Sequence, residues 1–235
     1  MDITQTITLA LIQGLTEFLP ISSSAHLVIL PKFLDWPDQG LAFDVVLHFA
    51  TLCAIIFYYR TTLVVISKDF FSSIVNRRLE GEAMLAWAIL LGTIPVGLTG
   101  ILFEDYIESN FRSYHVVAFA TIFFGILLGF SDWIQKTIGR SRDFIRGSDI
   151  LIIGCFQALA LIPGVSRSGI TITAALFIGL SRALSIKYAF LLSIPVITLA
   201  TLLKTFELST MVNQVDWTLL LMGFIIAFIA AYTTI

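Results

Sequence analysis

The stretch QGLTEFLPISSSAH, residues Gln13–His26, places a carboxylate, three consecutive hydroxyls and an imidazole inside an otherwise apolar chain. The 235 residues are 57% hydrophobic and only 13% charged, whereas about a quarter of the residues of a soluble domain are charged. The mean hydropathy is +0.94. Long apolar runs recur along the whole sequence, which predicts an all-α polytopic membrane protein with a single integral membrane domain, 1–235.

The charge and the cysteines argue against several classes of site. A net charge of −2 argues against a nucleic-acid partner. Cys53 and Cys155 lie in apolar runs without a CxxC spacing, so we expect two buried thiols rather than a disulfide or a metal site. The polar groups in the apolar runs are more informative, because ionisable side chains in membrane segments are costly and indicate function.

Five apolar segments approach the roughly 20 residues that a bilayer-spanning helix needs. They are 41–59, 84–103, 113–134, 186–203 and 216–235. Two further apolar regions are interrupted: 3–34 by Pro20 and a serine run, and 148–181 by Pro163-Gly164 and a Ser-Arg-Ser run. Irregular backbone at membrane depth is tolerated only inside protein or beside a watery cavity. Both regions are therefore predicted to be re-entrant helix–loop–helix hairpins.

The two interrupted regions are similar in sequence. The first reads IQGLTEFLPISSSA from Ile12, and the second reads FQALALIPGVSRSG from Phe156. An odd number of predicted spans, three, lies between them, so the hairpins should enter the membrane from opposite sides. This pattern predicts an inverted-topology repeat, with repeat one at about 1–134 and repeat two at about 148–235. Only two spans follow the second hairpin, so a sixth span is expected to be missing at the C-terminus.

Loop charges predict the orientation in the membrane. Segments 60–83 and 135–148 are rich in Lys and Arg, whereas 104–112 is mostly acidic. The positive-inside rule places the two basic segments in the cytoplasm, and the first hairpin then opens outward. Apolar residues among the charges of 60–83 favour a segment that lies along the membrane interface.

Polar side chains gather in the two interruptions. Gln13 and Glu17 are spaced i, i+4 and share one face of the first half-helix, and Arg167 lies in the second interruption. If the two tips meet, these side chains converge with Ser22, Ser23, His26, Ser166, Ser168 and Thr171. Helix N-termini at the tips would add free N–H groups, and a guanidinium binds phosphate bidentately. The pattern therefore predicts an anionic ligand such as a phosphate ester.

Simpler interpretations remain open for some of these residues. Ser22 and Ser24 are favoured as helix caps, which is the commonest use of serine at a helix start. Glu17 is expected to pair with Arg167, the obvious cation in apolar sequence. Asp44 and His48 are also spaced i, i+4, and a local hydrogen-bonded pair at a span end is favoured over membership of the site.

Two motifs carry a family resemblance that covers essentially the whole chain. QGLTEFLPISSSAH is similar to the [EQ]xxxE motif and following Ser–His segment of the undecaprenyl-diphosphate phosphatase family, also known as bacitracin-resistance proteins. PGVSRSGIT, Pro163–Thr171, is similar to that family's PGxSRSxxT motif. Gln13 stands where many relatives carry Glu, which leaves Glu17 as the carboxylate. Family members are also usually longer by about one helix.

The resemblance implies a membrane hydrolase and its cofactor. It implies an enzyme of the bacterial cytoplasmic (inner) membrane that converts undecaprenyl diphosphate to undecaprenyl phosphate. This reaction recycles the lipid carrier of peptidoglycan synthesis and confers bacitracin resistance. The resemblance also implies a divalent cation, Mg²⁺ or Ca²⁺, with Glu17 as the candidate ligand.

Roles for the polar residues follow from the chemistry of diphosphate hydrolysis together with the resemblance. Arg167 is assigned to the phosphate oxygens, and Glu17 to the metal or to orienting the nucleophile. Ser23 is the candidate nucleophile with His26 as general base, while direct attack by His26 or by water stays an alternative. The predicted substrate-binding residues are Gln13, Ser22, Ser166, Ser168 and Thr171.

A transporter or flippase of an anionic lipid is the alternative function, because inverted repeats with broken helices are also a transporter architecture. The grouping of carboxylate, imidazole and serine favours hydrolysis, since anion binding alone needs no acid/base pair. The active site is predicted to open to the outer, periplasmic side, with the lipid tail along apolar grooves between spans. A homodimer is compatible with the sequence.

Overall fold

The computed structural model describes residues 1–111, 113–139, 141–209 and 216–235, and it describes only the backbone at 104, 105, 108, 138 and 209. Arg112, Arg140 and residues 210–215, which belong to the loops used to predict orientation, lie outside these described residues. Within the described ranges the chain forms α-helices and one 3-10 turn, with no strand. The all-α prediction is therefore confirmed.

Six helices make up the first part of the chain. They are α1 (Ile3–Thr16), α2 (Ser23–Phe33), α3 (Leu41–Tyr58), α4 (Arg60–Asn76), α5 (Ala83–Asn110) and α6 (Tyr114–Ile138). Polar residues cap several of them: Asp2 accepts a hydrogen bond from the Gln5 N–H at the start of α1, and Ser113 caps α6 in the same way. Gly139 ends α6 with a φ of 65°, a left-handed conformation that glycine adopts without steric cost.

Four helices and the 3-10 turn follow. They are α7 (Gly147–Ala158), the turn Leu159–Leu161, α8 (Arg167–Phe177), α9 (Arg182–Ser209) and α10 (Trp217–Thr234). Ser166 is the N-cap of α8, and its hydroxyl accepts from the Gly169 N–H. Asp216 caps α10 by accepting from the N–H groups of Thr218 and Leu219.

Five of the described helices are long and apolar enough to cross a membrane: α3, α5, α6, α9 and α10. They coincide with the five predicted segments, and α9 extends further than predicted, from Arg182 to Ser209. By contrast, α1, α2, α7 and α8 have 11 to 14 residues. At 1.5 Å per residue each is about 16 to 21 Å long, shorter than the hydrocarbon core of about 30 Å.

Small residues bring the helices together. A Cβ on Gly14 would lie 2.6 Å from the Ala227 carbonyl oxygen, so α1 lies directly against α10. A Cβ on Gly154 would lie 2.9 Å from the Gly92 carbonyl oxygen, so α7 lies equally close to α5. Without a hydrophobic driving force between helices in lipid, such close packing is a main source of helix association.

Segment 60–83 is a helix rather than a free loop over most of its length. The helix α4 starts immediately after α3 and packs on α5, where the Trp87 indole N–H donates to the Ser73 hydroxyl at 3.1 Å. Asp69 accepts from the Glu82 N–H at 2.8 Å, which ties the connecting turn back to α4. Its predicted position along the membrane interface stays a prediction.

An ion pair holds the start of α7 against the end of α8. The Arg142 guanidinium donates to both carboxylate oxygens of Asp149, at 2.5 and 2.8 Å, and to the Ile178 carbonyl at 3.1 Å. The hydrogen bond to Asp149 is the largest cause of a raised Arg142 pKa. The guanidinium therefore stays charged and joins the two arms of the second interrupted region at one end.

The two cysteines are free, as predicted. The prediction that both are buried was wrong, because Cys53 is only half-buried on α3 and Cys155 is exposed on α7. Apolar sequence does not imply burial in a membrane protein, because its outer surface contacts lipid chains that are themselves apolar.

Candidate active site

The first interruption turns the chain between α1 and α2. Glu17 follows the last residue of α1, and its N–H still donates to the Gln13 carbonyl. Ser22 is the N-cap of α2, as its cap interpretation predicted, and its backbone is left-handed with a φ of 60°. A non-glycine residue with positive φ is uncommon and indicates local strain. The strained residue directly precedes Ser23, the first residue of α2.

Glu17 is the centre of the hydrogen-bond network. Its Oε2 accepts from the Ser23 hydroxyl at 2.6 Å and from the Gln13 side-chain amide at 2.8 Å. Its Oε1 accepts from the Arg167 Nη2 at 2.7 Å. The Glu17 side chain is only 6% exposed. The first and second interruptions therefore meet in an ion pair between residues 150 positions apart, and the Glu17–Arg167 pair expected from the sequence is present.

Two buried polar atoms beside this network lack partners in the described part of the chain: the Arg167 Nη1 and the Gln13 Oε1. Leaving a buried donor or acceptor unpaired costs about 1–3 kcal/mol, and more for a charged group. Arg167 lines the cavity described below, so its unpaired nitrogen is suited to a ligand that carries anionic oxygens.

Serine side chains join the two tips. The Ser168 hydroxyl donates to the Leu19 carbonyl at 3.1 Å, and the hydroxyls of Ser166 and Ser168 lie 3.1 Å apart. The Thr171 hydroxyl donates within its own helix, to the carbonyls of Arg167 and Ser168. Of the predicted substrate-binding hydroxyl residues, Ser22 and Ser166 line the cavity described next, whereas the hydroxyls of Ser168 and Thr171 donate to backbone carbonyls.

A cavity of about 220 Å³ lies against the Glu17–Arg167 pair. Since a liquid water molecule occupies about 30 Å³, the space can hold a polyatomic anion. Its polar lining consists of Glu17, Ser22, Ser23, Ser24, His48, Ser166 and Arg167. The N-termini of α2 and α8, whose first N–H groups have no partners within their helices, begin at this lining.

The two histidines lie differently from the sequence expectation. His26 is exposed on α2, and its Nδ1 lies 2.8 Å from the Ser22 carbonyl oxygen. His48 on α3 lines the cavity, and its Nε2 lies 3.8 Å from the Glu17 Oε2. The His48 Nδ1 lies 2.8 Å from the backbone carbonyl oxygen of Asp44. The two residues are therefore local hydrogen-bond partners, as expected, but the sequence interpretation that favoured this pairing over membership of the site was wrong for His48, which lines the cavity.

The sequence did not identify His48 as a cavity residue. Its i, i+4 spacing from Asp44 indicates a partner within the same helix, but it does not indicate which other segment packs against that face of α3. A carbonyl only accepts, so the Nδ1 of His48 carries the proton in that contact. In the neutral ring, the Nε2 then presents a lone pair toward the cavity.

A second cavity leads away from the first. It has a volume of about 850 Å³ and shares Ser24, Ala160 and Leu161 with the first cavity. It extends to Lys32 in the last turn of α2 and to Asp38 in the connection between α2 and α3. We call it the vestibule. Its lining carries Lys32, Asp35, Asp38 and Asp44, and this polar character suits the passage of water and polar solutes.

Known proteins match this chain over almost its whole length. A sequence model of the family described as "Bacitracin resistance protein BacA" matches residues 6–235. The chain is 52% identical over 235 residues to an undecaprenyl-diphosphatase of Vesicomyosocius okutanii, and 54% identical over 235 residues to one of Ruthia magnifica. These alignments span all of this chain and 89% and 88% of the two relatives. It is also 50% identical over 237 residues to undecaprenyl-diphosphatase 2 of Stutzerimonas stutzeri, again covering all of this chain and 88% of the relative. The chain therefore belongs to the BacA family of bacitracin resistance proteins.

Proposed function

We propose that this protein is an undecaprenyl-diphosphatase, which hydrolyses undecaprenyl diphosphate to undecaprenyl phosphate and phosphate. The names of its relatives support this function. The observation that carries it is the buried Arg167–Glu17–Ser23 network beside a cavity, with one guanidinium nitrogen unpaired among the described residues. A phosphate oxygen is the complementary partner for that nitrogen.

Arg167 binds the terminal phosphoryl group in this mechanism. Its Nη2 stays on Glu17 while its Nη1 donates to a phosphate oxygen, and the N–H groups at the start of α8 add further donors. Phosphoryl transfer depends on neutralising charge on the equatorial oxygens and placing the nucleophile in line. The ion pair with Glu17 holds the guanidinium in place before substrate arrives.

Ser23 is the nucleophile, and Glu17 accepts its proton. The short Ser23–Glu17 hydrogen bond of 2.6 Å points the hydroxyl proton at the carboxylate. As the serine oxygen bonds to the terminal phosphorus, the bridging P–O bond breaks and undecaprenyl phosphate leaves. Water then attacks the phosphoserine, which releases phosphate and returns the proton to Ser23. Attack by water with Ser23 only as a ligand is the rival route, and the Ser23 variant below separates the two.

His26 acts on the backbone rather than on the proton in our proposal. Its ring nitrogen lies 2.8 Å from the carbonyl oxygen of Ser22, the strained residue that precedes the nucleophile. The acid/base role assigned to His26 from the sequence stays a prediction. The pH profile of kcat for wild type and His26→Ala tests it. His48 is the imidazole that lines the cavity.

A divalent cation fits the oxygen donors of the site. Mg²⁺ is commonly bound through one or two carboxylates together with substrate phosphates. Glu17, which lines the cavity, would hold it together with diphosphate oxygens of the substrate. The described residues contain no cluster of three or more His, Cys, Asp or Glu side chains, so the substrate would have to supply part of the coordination. When bound, the cation would neutralise charge on the diphosphate.

Re-entrant hairpins and an inverted repeat are part of the proposal. The short lengths of α1, α2, α7 and α8 support them, as do the contacts between the two tips at Ser168–Leu19 and Arg167–Glu17. The helices α3, α5 and α6 lie between the hairpins, which supports entry from opposite sides. The vestibule reaches the connection between α2 and α3, which supports a site that opens to the outer side of the bacterial cytoplasmic membrane.

The function is tested by replacing Arg167. Arg167→Ala should reduce phosphate release from undecaprenyl diphosphate in detergent by at least about 100-fold, as expected for loss of a charged phosphate ligand. Arg167→Lys should recover only part of this loss. An ammonium lacks the planar, forked donors with which a guanidinium binds Glu17 and phosphate at the same time. Undiminished release by Arg167→Ala would remove the residue from the mechanism.

The same assay separates hydrolysis from transport. Detergent micelles have no two sides, so phosphate release there cannot come from transport. A wild-type protein that binds the lipid diphosphate but releases no phosphate, with and without added Mg²⁺ or Ca²⁺, would support the transporter or flippase. A homodimer stays a prediction, which light scattering in detergent would test.

A further inference from the structure

An apolar groove runs between α5 and α9 next to the active site. It has a volume of about 500 Å³, and its walls include Gly97, Gly100 and Ile101 from α5 and Leu199 and Leu203 from α9. Among the described residues that line it, Lys204 alone carries a charge. A groove of this character does not bind phosphate, but it matches an apolar chain.

The groove exists because the two helices touch over one half of their length and separate over the other. In the touching half, the Tyr188 hydroxyl donates to the Ala88 carbonyl at 2.8 Å, and a Cβ on Gly92 would lie 2.7 Å from that hydroxyl. Pro95 lies within α5 and Pro195 within α9. Proline removes a backbone hydrogen bond and tends to bend a helix, and most of the residues that line the groove on these two helices follow the two prolines in sequence.

Two glycines leave the groove open. A Cβ on Gly97 would have no atom within 4 Å, and one on Gly100 would meet only the Leu161 side chain at 3.9 Å. Glycine within a helix costs about 1 kcal/mol relative to alanine, and no close helix contact requires it at either position. The absence of a side chain at these two positions therefore keeps the groove open and is not required for helix packing.

The groove is continuous with the active site. Val96, Leu161, Val196 and Ala200 line both the groove and the cavity that contains Arg167 and Ser23. Leu161 also borders the vestibule. The three spaces therefore meet at the tip of the second interrupted region, so an anionic end, an apolar tail and water each have a separate path.

We propose that the prenyl chain of the lipid diphosphate leaves the active site sideways through this α5–α9 groove, with Gly97 and Gly100 providing its room. The inference rests on the proposed function, which supplies a substrate with a diphosphate at one end and an apolar chain at the other. Phosphate and water exchange through the vestibule, so the tail can remain in the groove while the released phosphate departs.

Bulky side chains in the groove test the assignment. Gly97→Phe and Gly100→Phe should raise the KM for undecaprenyl diphosphate at least about tenfold. The shortest prenyl diphosphate that the wild-type protein cleaves should be affected less than about twofold, because its chain barely enters the groove. Gly129→Phe is the matched control, since Gly129 is an exposed glycine within α6 whose Cβ would also meet nothing within 4 Å. It should leave both substrates unchanged.

Equal effects on long and short substrates, or no effect on either, would overturn the groove assignment. A second measurement does not depend on folding of the variants. Wild-type protein is labelled with a farnesyl diphosphate that carries a photoreactive diazirine at the end of its chain. Labelled peptides from α5 and α9 support the proposal, and labelling confined to other helices contradicts it. A wild-type protein that is labelled on α5 and α9 but cleaves no prenyl diphosphate would refute the proposed function and leave the groove intact.

Discussion

At the residue scale, the decisive contact is the one between Ser23 and Glu17. Ser23→Ala should lower kcat by at least about 100-fold, in the range that loss of a positioned nucleophile or base produces. Glu17→Gln should lower it at least as much, because it removes both the proton acceptor and the partner of Arg167. Steady-state phosphate release measures both. Retention of more than about a tenth of the activity by Ser23→Ala, a loss below about 1.4 kcal/mol in the barrier, would reject covalent catalysis by this serine.

His26 permits a sharper test of role at the same scale. If the imidazole only holds the Ser22 carbonyl, His26→Ala should lower kcat without changing the shape of its pH profile. A general base would instead contribute its own ionisation to the profile, and its loss would remove one limb. Profiles of kcat for wild type and His26→Ala, with His48→Ala alongside, decide between the two roles.

At the element scale, the close packing of α7 on α5 sets the position of the second tip. Gly154→Ala would place a Cβ 2.9 Å from the Gly92 carbonyl oxygen and 3.1 Å from the Pro95 ring. Overpacking of this kind typically costs about 1–3 kcal/mol. We expect a lower melting temperature in detergent and reduced activity, because α7 packs against α8, which carries Arg167 at its start.

Gly147→Ala is the control for that variant. It changes another glycine of α7, but its Cβ would meet nothing within 4 Å. Melting temperature and activity should stay near the wild-type values. If both substitutions behave alike, the contact between α7 and α5 does not position the tip.

At the scale of the whole molecule, the proposed orientation predicts which residues are reached from outside. In a protein with Cys53→Ala and Cys155→Ala, Asp38→Cys should react with a membrane-impermeant maleimide on intact cells. Ser72→Cys should react only after permeabilisation. Asp38 lies at the vestibule and Ser72 is exposed on α4, in a segment predicted to be cytoplasmic. The reverse pattern would invert the orientation and the proposed opening of the site.

Different parts of this architecture were predictable to different degrees. The five apolar helices could be predicted from length and composition, because a helix that crosses a bilayer needs a long uninterrupted apolar segment. The breaks at 17–22 and 159–166 follow from proline, glycine and serine clusters, which disrupt helices. Even the pairing of Glu17 with Arg167 was expected, because few other charges lie in apolar sequence. The place of His48 was not, since it depends on which face of α3 meets the first tip.

By itself, the sequence determined the spans, the two interruptions and the chemical types at each tip, because hydropathy and helix-breaking residues act locally. Only the tertiary structure decided which imidazole lines the cavity, which atoms lack partners and where the apolar groove lies. These depend on distances between segments far apart in the chain, such as the 2.7 Å between Arg167 and Glu17. Packing of small residues against neighbouring helices sets those distances, and no local pattern encodes them.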